Sequence, residues 1–186
     1  MKYEVEQKFP IPDIAVVQSR LATLGATISA ARLEVDVYYA HPARDFTQSD
    51  EALRIRRVGE SNCMTYKGPK IDSTTKTRHE IELPLGPGDE SARRCGELLE
   101  ALGFQAIGEV RKQRRKATVT WQDRQVSVVL DDVERLGLFA ELELVCQPAE
   151  VETAKACIAS LAERLELHAS ERRGYIEMLA TKRGRD

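Results

Sequence analysis

Glu4-Val5-Glu6-Gln7-Lys8-Phe9 puts Glu4, Glu6 and Lys8 on one face of an extended strand and Tyr3, Val5 and Phe9 on the other. The same alternation returns in Leu53-Arg54-Ile55-Arg56, in Arg78-His79-Glu80-Ile81-Glu82-Leu83 and in Ala140-Glu141-Leu142-Glu143-Leu144. Val126 to Leu130 reads as a more apolar strand that ends at Asp131-Asp132. Between these strands lie three amphipathic helices. One follows Pro12-Asp13 with Ile14, Val17, Leu21 and Leu24 on one side, and Gly25 stops it. A second begins near Asp89-Glu90-Ser91, carries Ala92, Cys95, Leu98, Leu99 and Leu102, and stops at Gly103. A third starts after Pro148 and carries Val151, Ala154, Ile158, Leu161 and Leu165. The class is α+β, with a mainly antiparallel sheet and helices between strands.

These units echo one another. Glu4-x-Glu6, Glu80-x-Glu82 and Glu141-x-Glu143 are each followed by a proline (Pro10, Pro84, Pro148) and then a helix. A further segment comes after each helix, containing Tyr38-Tyr39, Lys112-x-Arg114 or Arg173-Gly174-Tyr175. The spacing is too uneven for a solenoid. Loops are expected over His41 to Asp50, Gly68 to Thr75 and Gly86 to Asp89.

The 186 residues are 42% hydrophobic, and 28 Lys+Arg against 30 Asp+Glu leave a net charge of −2. That length suits one domain over residues 1–186 with a real core. A near-neutral balance argues against nucleic acid or an anionic membrane as partner. The opening residues lack a secretory apolar core, and no apolar run reaches the ~18–20 residues of a membrane span. Cys63, Cys95, Cys146 and Cys157 form no C-x-x-C pattern and His41, His79 and His168 are scattered, so reduced thiols in a cytoplasmic protein are expected.

A charged strand face opposite an apolar one is usually just solvated. Four strands with the same arrangement point elsewhere. If helices cover the apolar faces, a sheet curled shut would have a charged interior, and such a lining asks for a charged ligand. Arginine forks suit phosphate oxygens and lysines supply point charges. Like charges ~4 Å apart repel by ~4 kcal/mol at an effective dielectric near 20, so a basic cluster needs an anion. Glutamates at i and i+2 stand ~6.6 Å apart along a strand, within reach of one divalent ion. Hard oxygen ligands beside phosphate-binding cations point to Mg²⁺ or Mn²⁺ on a polyphosphate. No Walker A sequence is present.

The chain resembles the CYTH superfamily, the triphosphate tunnel metalloenzymes. The resemblance rests on Glu4-x-Glu6-x-Lys8, Asp36-Val37-Tyr38-Tyr39, Leu53-Arg54-Ile55-Arg56, Tyr66-Lys67-Gly68-Pro69 and Arg78-x-Glu80-x-Glu82. It continues through Lys112-Gln113-Arg114, Leu130-Asp131 and Leu136-Gly137-Leu138-Phe139-Ala140-Glu141-Leu142-Glu143. The resemblance implies a closed antiparallel eight-stranded β-barrel, a triphosphate tunnel, with helices packed on the outside. It implies Glu4, Glu6, Glu141 and Glu143 as metal ligands. It implies Lys8, Arg54, Arg56, Lys67, Arg78, Lys112 and Arg114 as triphosphate contacts, the first five also catalytic. Glu80, Glu82 and Asp131 match acidic positions that bind metal or brace the basic groups, and one of Tyr38 and Tyr39 is a candidate for the catalytic apparatus. Arg57, Arg111 and Arg115 have the opposite parity and are left out. Ala40 and Gly174-Tyr175 depart from family patterns that carry Asp and Ser-Tyr there.

Lys2-Tyr3-Glu4-Val5-Glu6 and the Leu136-Gly137 block look most like the class IV adenylyl cyclases. That branch implies conversion of ATP to cyclic AMP and pyrophosphate. Hydrolysis of tripolyphosphate, thiamine triphosphate or a nucleoside triphosphate is the alternative, and a binding module without turnover is a third. Family habit also makes a homodimer an expectation.

Overall fold

The structure is a computed structural model that describes residues 3–71 and 75–183. Residues 72–74 of the loop expected over Gly68 to Thr75, and Met1 and Lys2 of the opening motif, lie outside the described residues.

The elements run β1 (Tyr3–Pro10), α1 (Ile14–Thr23), β2 (Arg32–Ala40), α2 (Phe46–Ser49), β3 (Ala52–Val58), β4 (Ser61–Lys67) and β5 (Arg78–Leu85). They continue with α3 (Gly88–Ala101), β6 (Gln105–Trp121), β7 (Arg124–Val133), β8 (Gly137–Cys146), a 3₁₀ turn (Pro148–Glu150), α4 (Val151–Arg164) and α5 (Tyr175–Arg183). The strands close into one barrel in the order β1-β5-β4-β3-β2-β6-β7-β8. Each neighbouring pair is antiparallel. Short turns enforce this: β6 and β7 are joined through Gln122 and Asp123, both at positive φ, the backbone a two-residue hairpin turn needs.

Apolar faces of β1, β3, β7 and β8 point outward under helices, whereas Ile81 and Leu83 on the outer face of β5 are exposed. Val5, Phe9, Val126, Val128, Leu130, Leu142 and Leu144 pack with Val17 and Leu21 of α1 and with Ile158 and Leu161 of α4. Asp13 caps α1 by accepting from the Ala15 N–H at 2.7 Å. On the other side, Ala92 and Leu99 of α3 cover Tyr39, Leu53 and Ile55. A third cluster joins Tyr175 and Leu179 of α5 to Tyr38, Val110, Val133 and Phe139. The cysteines are free thiols, and among the described residues no helix is long and apolar enough to cross a membrane.

The three echoing units place β1, β5 and β8 before helices α1, α3 and α4, and these strands are adjacent, with β1 between the other two. The segments after the first two helices are strands β2 and β6. The segment after the third helix differs, because Tyr175 begins α5. Phe46–Ser49, inside the loop expected over His41 to Asp50, forms a helical turn capped by the Asp45 carboxylate.

A charged cavity inside the barrel

Because period-two alternation holds around the barrel, the charged faces meet inside it. They enclose a cavity of about 240 Å³. Adjacency of β8, β1 and β5 gathers Glu141, Glu143, Glu4, Glu6, Glu80 and Glu82 into an acidic wall. Strands β3 and β6, on either side of β2, supply Arg54, Arg56, Lys112 and Arg114 as a basic wall. Lys8 and Arg78 line the same cavity from β1 and β5, and Lys67 from β4. Tyr38 faces in, whereas Tyr39 packs outward against α3. Arg57 also points away from the cavity and binds Asp89 at 3.0 Å.

The basic wall is braced from behind by buried acids. Asp36 of β2 is fully buried and accepts from Arg56 Nε at 2.7 Å, Arg56 Nη2 at 2.8 Å and Lys112 Nζ at 2.9 Å, with Arg54 Nη1 at 3.5 Å. Glu34 lies 3.3 Å from Arg56 and 3.6 Å from Arg114. Asp131 takes a two-pronged pair from Arg114 and a hydrogen bond from the Tyr175 hydroxyl at 3.0 Å. Burial works against the charge on Asp36, but Arg54, Lys112 and Arg56 hold its carboxyl well below the usual range. Asp36, Glu34 and Asp131, shared among these cations, fix the guanidinium planes. The buried Nε of Arg54 has no hydrogen-bond partner, a donor left over once the acids are shared out. Burial, with Arg114 nearby, pushes the Lys112 ammonium down to about 8.

The acidic wall divides into two groups. Glu141 pairs with Arg114 at 2.6 Å. Burial opposes its charge, but Arg114, Lys76 and Lys8 hold its carboxyl far below the ordinary value. Glu4, Glu6 and Glu143 instead converge, each with an oxygen within 4.8 Å of the others. Burial raises Glu4 to about 8, and the charges of Glu143, Glu80 and Glu6 add to the rise. Three hard-oxygen donors that strain one another fit a divalent cation such as Mg²⁺ or Mn²⁺. Lys67 bridges Glu80 and Glu4, the latter at 3.6 Å. Glu82 lines the wall further along β5. Lys8 is almost wholly buried, donates to the Arg173 carbonyl, and sits 4.0 Å from the Tyr175 ring centroid. Burial, then the neighbouring Lys76 charge, brings Lys8 down to about 7.

Lys76, Glu51, Lys116 and Glu177 reach the cavity and Glu34 braces it without having been singled out in the sequence, while Tyr175 and Asp36, quoted there only within motifs and given no site role, line and brace it. The parity that found Arg78 extends back one step to Lys76, and Glu34-x-Asp36-x-Tyr38 has the same period.

A family model described as the CYTH domain matches residues 2–175 of the chain. A protein of Methanocaldococcus jannaschii named "Putative adenylate cyclase" is 39% identical over 140 residues, 75% of each chain. The solved structure of the PH1819 protein from Pyrococcus horikoshii OT3 superposes with a TM-score of 0.83 at 36% identity, covering 96% of this chain and 99% of that one. A Hippeastrum protein shares the fold at a TM-score of 0.63 and 17% identity, over 99% of this chain and 96% of that one. Its structure is described as "Putative adenylyl cyclase HpAC1 from Hippeastrum reveals a dominant triphophatase activity".

Proposed function

The chain belongs to the CYTH domain family, and on that footing we propose that it is a metal-dependent enzyme that cleaves the phosphoanhydride chain of a triphosphate held in the barrel. One observation carries this reading: an acidic trio and a braced basic wall face each other across one cavity. Neither wall is stable alone at full charge, and a polyanion with a divalent ion satisfies both.

Glu4, Glu6 and Glu143 would hold the ion, and Glu141, already tied to Arg114, would brace the phosphate-binding side. A bound Mg²⁺ or Mn²⁺ would supply Lewis-acid neutralisation of phosphate oxygens. Arg54, Arg56, Lys112 and Arg114 orient the chain from the basic wall, and Lys8, Lys67 and Arg78 reach it from the remaining strands. Because Asp36, Glu34 and Asp131 pin these cations before the ligand arrives, little reorganisation remains when charge shifts during bond cleavage. Arg78 is itself steadied by the Asp50 carbonyl at 3.2 Å.

Hydrolysis is the reaction this cavity supports best. Its side-chain lining is charged except for Tyr38, Ala52, Tyr175 and Ile176. Tyr175 is already engaged by Asp131 and Lys8, so little lining is left to grip a purine. The dominant triphosphatase activity ascribed to the Hippeastrum protein runs the same way. Cyclisation of ATP is the second reading, favoured by the name of the Methanocaldococcus jannaschii relative.

The test is a product assay with tripolyphosphate and ATP under Mg²⁺ and under Mn²⁺, with phosphate, pyrophosphate and cyclic AMP measured separately. Phosphate from tripolyphosphate should exceed cyclic AMP from ATP by at least about tenfold. Cyclic AMP as the main product would replace hydrolysis with cyclisation. Affinity without any product would make the barrel a binding module.

A further inference from the structure

We propose that Lys76 is a built-in counter-cation of the acidic wall, which holds Glu6 while no metal is bound and gives up that place when the ion enters. This rests on the reading of Glu4, Glu6 and Glu143 as metal ligands. The Lys76 Nζ donates to Glu6 Oε1 at 2.6 Å, and both side chains are about nine-tenths buried. The ammonium therefore occupies one of the three oxygen-bearing arms that converge within 4.8 Å.

The backbone of Lys76 is anchored independently of its side chain. Its N–H donates to the Glu6 carbonyl at 3.0 Å, extending a β1–β5 seam that otherwise pairs only Tyr3 with His79 and Glu4 with Arg78. Lys76 is thus held beside the site whether or not its ammonium stays on Glu6. A divalent cation coordinated by Glu6 and that ammonium repel each other, so the two compete for one carboxylate. Glu141 also feels the Lys76 charge, but its ion pair is with Arg114. The displaced ammonium stays in the cavity beside Lys8, on the side where a polyanion would lie. Metal entry would then add two positive contributions to phosphate binding: the ion itself and a lysine released from its internal partner.

The experiment is a Mn²⁺ titration of the phosphate-free protein, with free Mn²⁺ read by electron paramagnetic resonance. Lys76→Met removes the competing charge and should bind Mn²⁺ at least about fivefold more tightly than the parent. Lys76→Arg should stay near the parent. Lys116→Met, which removes a lysine charge from the same cavity away from the trio, should change the Kd less than twofold. Lys76→Gln serves if Lys76→Met does not fold, as judged by circular dichroism. A lysine with a merely structural role predicts equal or weaker Mn²⁺ binding in Lys76→Met and Lys76→Gln, and that result overturns the proposal. Saturable binding in neither the parent nor Lys76→Met would overturn the metal-ligand reading as well. Binding that is equal in both removes only the competition.

Discussion

Replacing Glu6 by Gln should lower metal-dependent turnover at least about 100-fold while leaving phosphate binding in metal-free buffer intact or tighter. The amide keeps the shape of the side chain but removes one of the three charges that converge with Glu4 and Glu143. It also removes a negative charge that would repel a bound polyanion, and the basic wall loses nothing. The two readouts therefore separate in opposite directions. A variant that keeps full turnover under Mg²⁺ would contradict the placement of the ion at this trio. A variant that loses phosphate binding along with turnover would show that Glu6 supports the cradle rather than a metal.

Asp36→Asn should destabilise the ligand-free protein by about 3–5 kcal/mol, because breaking a buried ion pair from one side leaves its partners charged and unpaired. Asp36 is fully buried and serves Arg56, Lys112 and Arg54 at once. For a chain of this size that loss corresponds to a fall in melting temperature of about 6–20 °C. Tripolyphosphate should recover part of it by supplying the missing negative charge to the same cations. A fall corresponding to less than about 1 kcal/mol would mean that the basic wall is solvated well enough to stand without its brace.

Much of this was written in the alternation of single strands. β1, β3, β5 and β8 were legible because charged and apolar residues alternate along each, the apolar faces of β1, β3 and β8 lying under helices and that of β5 leaving Ile81 and Leu83 exposed. β2 also alternates over Leu33-Glu34-Val35-Asp36-Val37, but its inward face carries acids that ion pairing buries rather than a cationic or paired Glu-x-Glu pattern, so it was not singled out. β6 hid for a different reason: Arg111, Lys112, Gln113, Arg114, Arg115 and Lys116 put polar groups on both faces. Around the cavity, Arg54 and Glu4 could be found from residue type and parity. Lys76 precedes the apolar residues that mark its strand, and Glu34 and Asp36 matter through the cations they hold. Which of Tyr38 and Tyr39 faces inward depends on register alone. The antiparallel pairing of Tyr38 with Arg54 puts the former beside the basic wall.

The division of the glutamates was the least accessible from sequence. Glu141 and Glu143 share a face of β8, yet Arg114 claims one and leaves the other to the trio. That outcome depends on the β7–β8 and β6–β7 registers, which bring Arg114 beside Asp131 and Asp131 beside Phe139. No local pattern encodes it.

The measurement that bears most directly on the central claim is the thermal midpoint of the metal-free protein with tripolyphosphate, against sulfate at equal ionic strength. A ligand that binds only the folded state at a hundredfold excess over its Kd adds about 2.7 kcal/mol, which for a chain of this length is a rise of about 5–10 °C. Near pH 7 the basic wall is charged and tripolyphosphate should give that rise. Near pH 9 the rise should shrink, because Lys112, brought down to about 8 by burial, has largely lost its proton before the ligand arrives. A midpoint that tripolyphosphate moves no further than sulfate does would contradict the claim that the barrel interior is built to hold a triphosphate.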